Sequence, residues 1–213
     1  MTDLTVHEIF TSLQGETTES GRPCTFVRLT GCDLRCSWCD SPHAFTGGAK
    51  RSVNDVVSDV LRRGIGFVTV TGGEPLLQPG CAALVTSLLD AGAEVQVETG
   101  GHRDISALDR RARIILDLKA PGSGESEAML WSNIPALRPR DQVKMVLASR
   151  ADYEWARGII RQRLDIVEGA ILLQPAHGLI DPARIAEWMI EDRLPARLSI
   201  QLHVLLWPGR SGV

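Results

Sequence analysis

Phe26-Val-Arg-Leu-Thr-Gly-Cys32-Asp-Leu-Arg-Cys36-Ser-Trp-Cys39 runs from an aliphatic, β-branched stretch straight into three closely spaced cysteines. The first half reads as a strand, Thr25–Thr30, with side chains alternating across it. The second half is a loop with three residues between the first two cysteines and two between the last pair. Three thiolates from one short loop can hold three corners of a cubic iron–sulfur cluster, whose usual complement is four cysteines. The fourth iron is then left open, as a catalytic zinc keeps one position for substrate. A structural zinc site, with His43 as fourth ligand, is the competing reading, but so tight a triple is unusual for zinc fingers and ribbons. Cys24 and Cys81 fall at a strand start and a helix start and read as small core residues.

Outward from this stretch, short apolar runs alternate with helical ones. Strands are predicted at Thr5–Phe10, Phe67–Thr71, Glu94–Glu98, Ile114–Leu118, Val143–Leu147, Ala170–Gln174 and Arg197–His203. Helices are predicted at Val53–Arg63, Cys81–Ala91, Tyr153–Arg163 and Pro182–Asp192. Ser52 is placed to cap the first helix, and Asp181-Pro182 supplies a cap followed by proline at the first helical position of the last. Between Ser123 and Pro139 no long helix is expected, because Pro135 and Pro139 would break it. Strands alternating with helices imply an α/β chain of parallel βα units, which carry function at the C-terminal ends of the strands. The motifs Thr71-Gly-Gly-Glu-Pro75, Glu98-Thr-Gly-Gly101, Asp117-Leu-Lys119, Gln174-Pro175 and Gln201-Leu-His203 all fall at or just beyond such ends.

At 213 residues the chain suits one domain spanning 1–213. A net charge of −3 and pI near 6.0 carry no footprint for nucleic acid or a membrane surface. No apolar run reaches bilayer length, and Met1-Thr-Asp-Leu-Thr lacks a signal-like core, so a cytoplasmic location is expected. Five cysteines, three of them clustered, argue against a disulfide framework.

The cysteine spacing, with an aromatic before the last cysteine, resembles the cluster loop of radical S-adenosylmethionine (SAM) enzymes. In that superfamily SAM chelates the open iron and is split by one electron to give a hydrogen-abstracting radical. Gly72-Gly-Glu-Pro75, some forty residues on, is similar to the motif that holds the methionyl ammonium. The segments His7-Glu-Ile-Phe-Thr-Ser-Leu-Gln-Gly-Glu16, Gly21-Arg-Pro, Phe26–Cys32 and Trp38-Cys-Asp-Ser41 narrow the likeness to the 7-carboxy-7-deazaguanine synthases. The likeness continues to Gln201-Leu-His203. It implies an incomplete, TIM-like βα barrel reduced in helices, usually homodimeric, that forms 7-carboxy-7-deazaguanine from 6-carboxy-5,6,7,8-tetrahydropterin with loss of ammonia. A glycyl-radical activating enzyme, or a metal-binding module without activity, would be the alternatives.

By this resemblance Cys32, Cys36 and Cys39 hold one 4Fe-4S cluster, and Ser41, where threonine is commoner, gives a ligand to Mg²⁺ with Asp40 behind it. SAM would meet Trp38, Gly72, Gly73, Glu74, Glu98, Asp117, Lys119 and Gln174. The pterin would meet Leu13, Gln14, Gly15, Glu16, Arg28, Thr99 and His203. Arg28 shares a strand face with Cys24 and Phe26, and a guanidinium there needs an anion, either a substrate carboxylate or an internal acid. Thr17 stands where glycine is frequent, and Asp117-Leu-Lys119 where Ser-Pro-Lys is. A flavodoxin or ferredoxin is the expected electron donor. His7, His43, His102 and His177 receive no role.

Overall fold

The structure is a computed structural model and describes residues 3–210. Nine strands form one sheet in the order β3-β1-β2-β4-β5-β6-β7-β8-β9. They are β1 (Asp3–Leu13), β2 (Pro23–Leu29), β3 (Ala49–Ser52), β4 (Phe67–Gly72), β5 (Glu94–Thr99), β6 (Arg113–Asp117), β7 (Gln142–Leu147), β8 (Ala170–Pro175) and β9 (Arg197–Leu198). From β2 through β9 every pairing is parallel, and β1 joins β2 and β3 antiparallel. Edges β3 and β9 do not pair with each other, so the barrel stays open.

The helices are α1 (Val53–Arg62), α2 (Cys81–Asp90), α3 (Arg150–Arg163), α4 (Pro182–Glu191) and the short α5 (Leu202–Leu206). Residues 121–136 form three short 3-10 turns, as the prolines there require. The strands carry their apolar residues on the helix side. Val68, Val70, Val95, Val97, Ile114, Leu116, Val143, Met145, Leu147, Ile171 and Leu173 join Leu84, Leu88, Tyr153 and Ile185 in the main core. Alternate residues Thr69, Gln96, Lys144 and Gln174 are buried on the other face. Burying that many polar groups is tolerable because each has a partner, Thr69 in Gln14, Gln96 in Glu98, and Lys144 and Gln174 in Glu16, and this inner face becomes the site.

Ser52 accepts from Asp55 N at 3.2 Å and donates to Asp55 Oδ2 at 2.7 Å, opening α1 as expected. Asp181 caps α4 through Ala183 N. Replacing Ser52 with alanine is expected to cost about 1 kcal/mol, a fall of about 2–4 °C in Tm. An unchanged melting curve would show that this cap is not formed in solution.

Two expectations are corrected. Strand β3 is absent from the prediction because Lys50 and Arg51 mask its pattern, and it forms only as an antiparallel edge on β1. The predicted strand Arg197–His203 is a strand only at Arg197–Leu198. Ser199 N still bonds Leu173 O, but Leu202 N then bonds Gly15 O at 2.8 Å, turning the chain into α5 beside the loop after β1.

Candidate active site at the cysteine loop

A cavity of about 1090 Å³ lies against the inner face and is lined by all three clustered cysteines, Gly72–Glu74, Glu16, Arg28, Ser41, Asp117, Lys119, Gln174 and His203. Every residue to which the resemblance assigns a cluster, Mg²⁺, SAM or pterin contact borders it.

The cysteine loop is held by its backbone rather than by its thiols. Gly31 N bonds Ala44 O, Glu74 N bonds Gly31 O, Ser37 N bonds Ser123 O, and Cys39 N bonds Cys36 O. Arg35 adds a bond to Cys32 O and lies over the Phe45 ring. Asp33 pairs with Arg103 and with His102 Nε2. Cys32, Cys36 and Cys39 are partly exposed and unbridged. Burial pushes the Cys32 and Cys36 thiols up, with Lys119 pulling back at Cys36. Such thiols keep their protons until a metal displaces them. No fourth ligand is supplied by His43, whose Nε2 is 3.7 Å from Glu8. Three sulfur donors in a polar cavity fit a cluster with one open corner. Cys24 and Cys81 are core residues, their thiols pushed by burial to about 12.

Gly72 and Gly73 carry a second constraint beyond ligand access. A Cβ on Gly73 would stand 2.3 Å from Gly31 O and 2.8 Å from Cys32 Cβ, and one on Gly72 2.1 Å from Leu29 O. The glycines therefore let β4 press against β2 and the cysteine loop. Glu74 is buried, and its carboxylate is engaged: it accepts from Leu76 N, from Thr99 Oγ1 at 2.8 Å and from Gly100 N at 2.7 Å. Thr99 therefore spends its hydroxyl on Glu74, and both residues serve first to shape the cavity. Glu98 is similarly held by Gln14, Gln96 and Thr71, and burial raises its pKa.

Across the inner face, Glu16 Oε2 is 2.7 Å from Lys144 Nζ, while Oε1 accepts from Gln174 and Gln201, each at 3.0 Å. Burial alone would raise the Glu16 carboxyl; Lys144 and these bonds outweigh it and hold it at about 2. Gln14 is buried and donates to Thr69 and Glu98, while its oxygen receives Glu16 N, so it fixes the turn that presents Glu16. Thr17 follows at φ 63°, the left-handed region where glycine costs least. His203 packs on Gly15, where a Cβ would lie 2.1 Å from Nδ1. Asp117 Oδ2 pairs with Lys119 at 2.9 Å and Lys144 at 3.5 Å. Asp117 Oδ1 and Gln174 Oε1 are buried with no partner, acceptors that a ligand's hydroxyl or N–H would satisfy.

Arg28 is not left without an acid. Its Nε donates to Glu8 at 2.8 Å and Nη1 to Ser41 Oγ at 3.3 Å. Ser41 donates in turn to Asp40 at 2.9 Å. The far edge of the Trp38 ring lies against Gly122, in the 3-10 turn Pro121–Ser123. Lys144, Glu8, Gln201 and His102 are site residues to which the sequence pattern assigns no role. For Lys144 the visible signal is a lysine alternating with Val143 and Met145 in an apolar strand, and Gln201 falls in a polar motif at a predicted strand end.

Residues 26–122 match the Radical SAM superfamily. The fold agrees with the crystal structure of QueE from Escherichia coli, at TM-score 0.77 and 24% identity, covering 94% of this chain and 95% of that one. An open parallel barrel with three thiols over its cavity thus belongs to the radical SAM class. Two curated relatives are each named 7-carboxy-7-deazaguanine synthase. One, from Koribacter versatilis, is 40% identical over 98% of this chain and 99% of its own length. The other, from Chlorobaculum tepidum, is 41% identical over 99% and 97%. The chain belongs to the 7-carboxy-7-deazaguanine synthase family.

Proposed function

We propose that the chain, acting as a single radical SAM domain, converts 6-carboxy-5,6,7,8-tetrahydropterin to 7-carboxy-7-deazaguanine with loss of ammonia, in the biosynthesis of queuosine and other 7-deazapurines. The observation that carries this reading is an ionised, buried Glu16 on the same cavity as three unbridged thiols. A buried carboxylate suits the N–H and amino donors of a pterin ring, and gives no reason for a peptide loop to enter, as a glycyl-radical activase would need.

Cys32, Cys36 and Cys39 would hold the 4Fe-4S cluster, with Gly72–Glu74, Trp38, Asp117 and Lys119 around SAM. Bound together, the cluster and SAM supply the hydrogen-abstracting radical. Arg28, steadied through Nε by Glu8, grips the substrate carboxylate with its terminal nitrogens. Ser41 Oγ would give one ligand to Mg²⁺, its hydroxyl oriented by the bond to Asp40. Arg28 beside that position would repel a bare dication, so metal and substrate carboxylate bind together. Leu13, Gly15 and His203 close the cavity around the ring and keep solvent from the reacting carbon.

A flavodoxin or ferredoxin would deliver the electron, and the exposed Leu198, Ile200, Leu205 and Leu206 support a homodimer. Among the described residues no helix is long and apolar enough to cross a membrane, in keeping with a cytoplasmic enzyme.

Anaerobically reconstituted protein with SAM, reductant, Mg²⁺ and the carboxypterin should yield the deazaguanine, detected by mass. Chelating Mg²⁺ should slow turnover about tenfold or more. SAM cleavage without that product would overturn the pterin assignment and favour a different radical SAM substrate.

A further inference from the structure

Lys144 stands at the middle of β7, between Val143 and Met145, which both pack into the helix-side core. The alternation of the strand turns Lys144 to the other face. Register places it directly beside Asp117 of β6. Its Nζ reaches Glu16 Oε2 at 2.7 Å and Asp117 Oδ2 at 3.5 Å, and Asp117 Oδ2 reaches Lys119 Nζ at 2.9 Å. Four alternating charges therefore link the loop after β1 to the wall beside Cys36. Lys144 itself is only 8% exposed.

A carboxylate offers about four acceptor positions. Three on Glu16 are occupied, by Lys144 on Oε2 and by Gln174 and Gln201 on Oε1. One position remains, on the oxygen that Lys144 orients.

Without Lys144, nothing positive packs against Glu16 among these neighbours. Glu98 of β5 lies near enough to oppose its charge. Asp117 of β6 stands behind the lysine. Gln174 of β8 and Gln201 ahead of α5 are neutral, Asp40 lies beyond Gln201 at 3.3 Å, and His203 packs on Gly15. A buried acid so placed escapes its desolvation cost by taking a proton. Protonation would put a donor where a bound N–H needs an acceptor.

We propose that Lys144 is a positioning residue of the active site, holding Glu16 charged and turned so that one lone pair receives an N–H donor of the bound heterocycle. The identity of that heterocycle rests on the pterin reading; the control of Glu16 by Lys144 does not. A pair kept only for the fold would, on losing Lys144 alone, lower stability through the uncompensated buried acid without giving KM a new pH dependence.

The test compares Lys144→Met, Lys144→Arg and Glu16→Gln in reconstituted holoenzyme, with KM for the carboxypterin followed from about pH 6 to about pH 9, the span into which buried carboxyls are raised. In the parent enzyme Glu16 is ionised throughout, so its contribution to KM is flat. In Lys144→Met the raised carboxyl is neutral on the acid side. KM should therefore be about 10- to 100-fold higher there and recover as pH rises through the new pKa. Lys144→Arg keeps the charge and should stay flat. Glu16→Gln, a permanent mimic of the neutral acid, should be poor at every pH.

Infrared spectra supply a readout free of turnover. Lys144→Met should show a protonated-carboxyl band at neutral pH that the added Glu16→Gln change removes. If Lys144→Met does not fold, Lys144→Gln carries the same expectations. A flat KM profile with no such band overturns the proposal. If the parent enzyme does not convert the pterin, the functional reading falls, and the infrared band alone decides the role of Lys144.

Discussion

Cys36→Ser is expected to give a folded protein that retains no intact cluster after reconstitution and cleaves SAM only at the background rate. Among the described residues the cavity is lined by three thiols and no fourth, so no other sulfur donor stands ready to replace Cys36. A serine hydroxyl is a hard, weakly acidic donor and does not replace a thiolate on iron. The fold should survive because the loop is fixed by Gly31 N, Ser37 N, Cys39 N and Glu74 N rather than by sulfur. Cys36 is partly buried against the main core, and trading sulfur for oxygen there should cost about 1 kcal/mol, within the ordinary range for a point substitution. Iron and sulfide analysis with circular dichroism reads both halves. Full iron and sulfide content in this variant would mean that another side chain is the third ligand.

Gly73→Ala is expected to damage the same centre from the opposite direction, through packing. The new methyl would lie 2.3 Å from Gly31 O and 2.8 Å from Cys32 Cβ. Neither is the flexible tip of a side chain, so β4 and the cysteine loop must separate. The cost is about 2–4 kcal/mol, or about 5–15 °C in Tm, with a matching loss of cluster. Gly66→Ala, where nothing lies within 4 Å of the added carbon, is the control and should be near neutral. A Gly73→Ala protein that melts normally and reconstitutes fully would show that the glycine pair serves ligand access alone.

The parts of the site that follow from local spacing are legible in the residue order. Three cysteines within eight residues, a Gly-Gly-Glu-Pro turn after a strand, and polar motifs at strand ends each depend on residues close in the chain. Seven of the eight predicted strands and all four predicted helices have counterparts within a few residues at their ends. The exceptions have particular causes. Lys50 and Arg51 hide an edge strand whose pattern is set by its neighbour β1, and the end of the expected last strand is drawn off by Gly15 O.

Roles assigned singly to Glu74, Thr99 and Glu98 are incomplete for a related reason. A sequence shows an acceptor but not which donors reach it first, and Glu74 is largely occupied by Thr99, Gly100 and Leu76. Arg28 offers a choice between an internal acid and a substrate carboxylate. In the structure Glu8 takes Nε, Nη1 donates to Ser41 Oγ, and Arg28 borders the cavity.

By itself, then, the order of residues determined the cluster loop, the succession of parallel βα units and the family, because each is written in short-range pattern. Tertiary structure alone decided the charge and orientation of Glu16. Its partners Lys144, Gln174 and Gln201 lie 128, 158 and 185 positions away. They meet it only when the sheet curls to bring β1, β7, β8 and the start of α5 around one cavity. Contacts made by burial across such distances leave no spacing to read, since the energy that selects them is desolvation within the folded barrel.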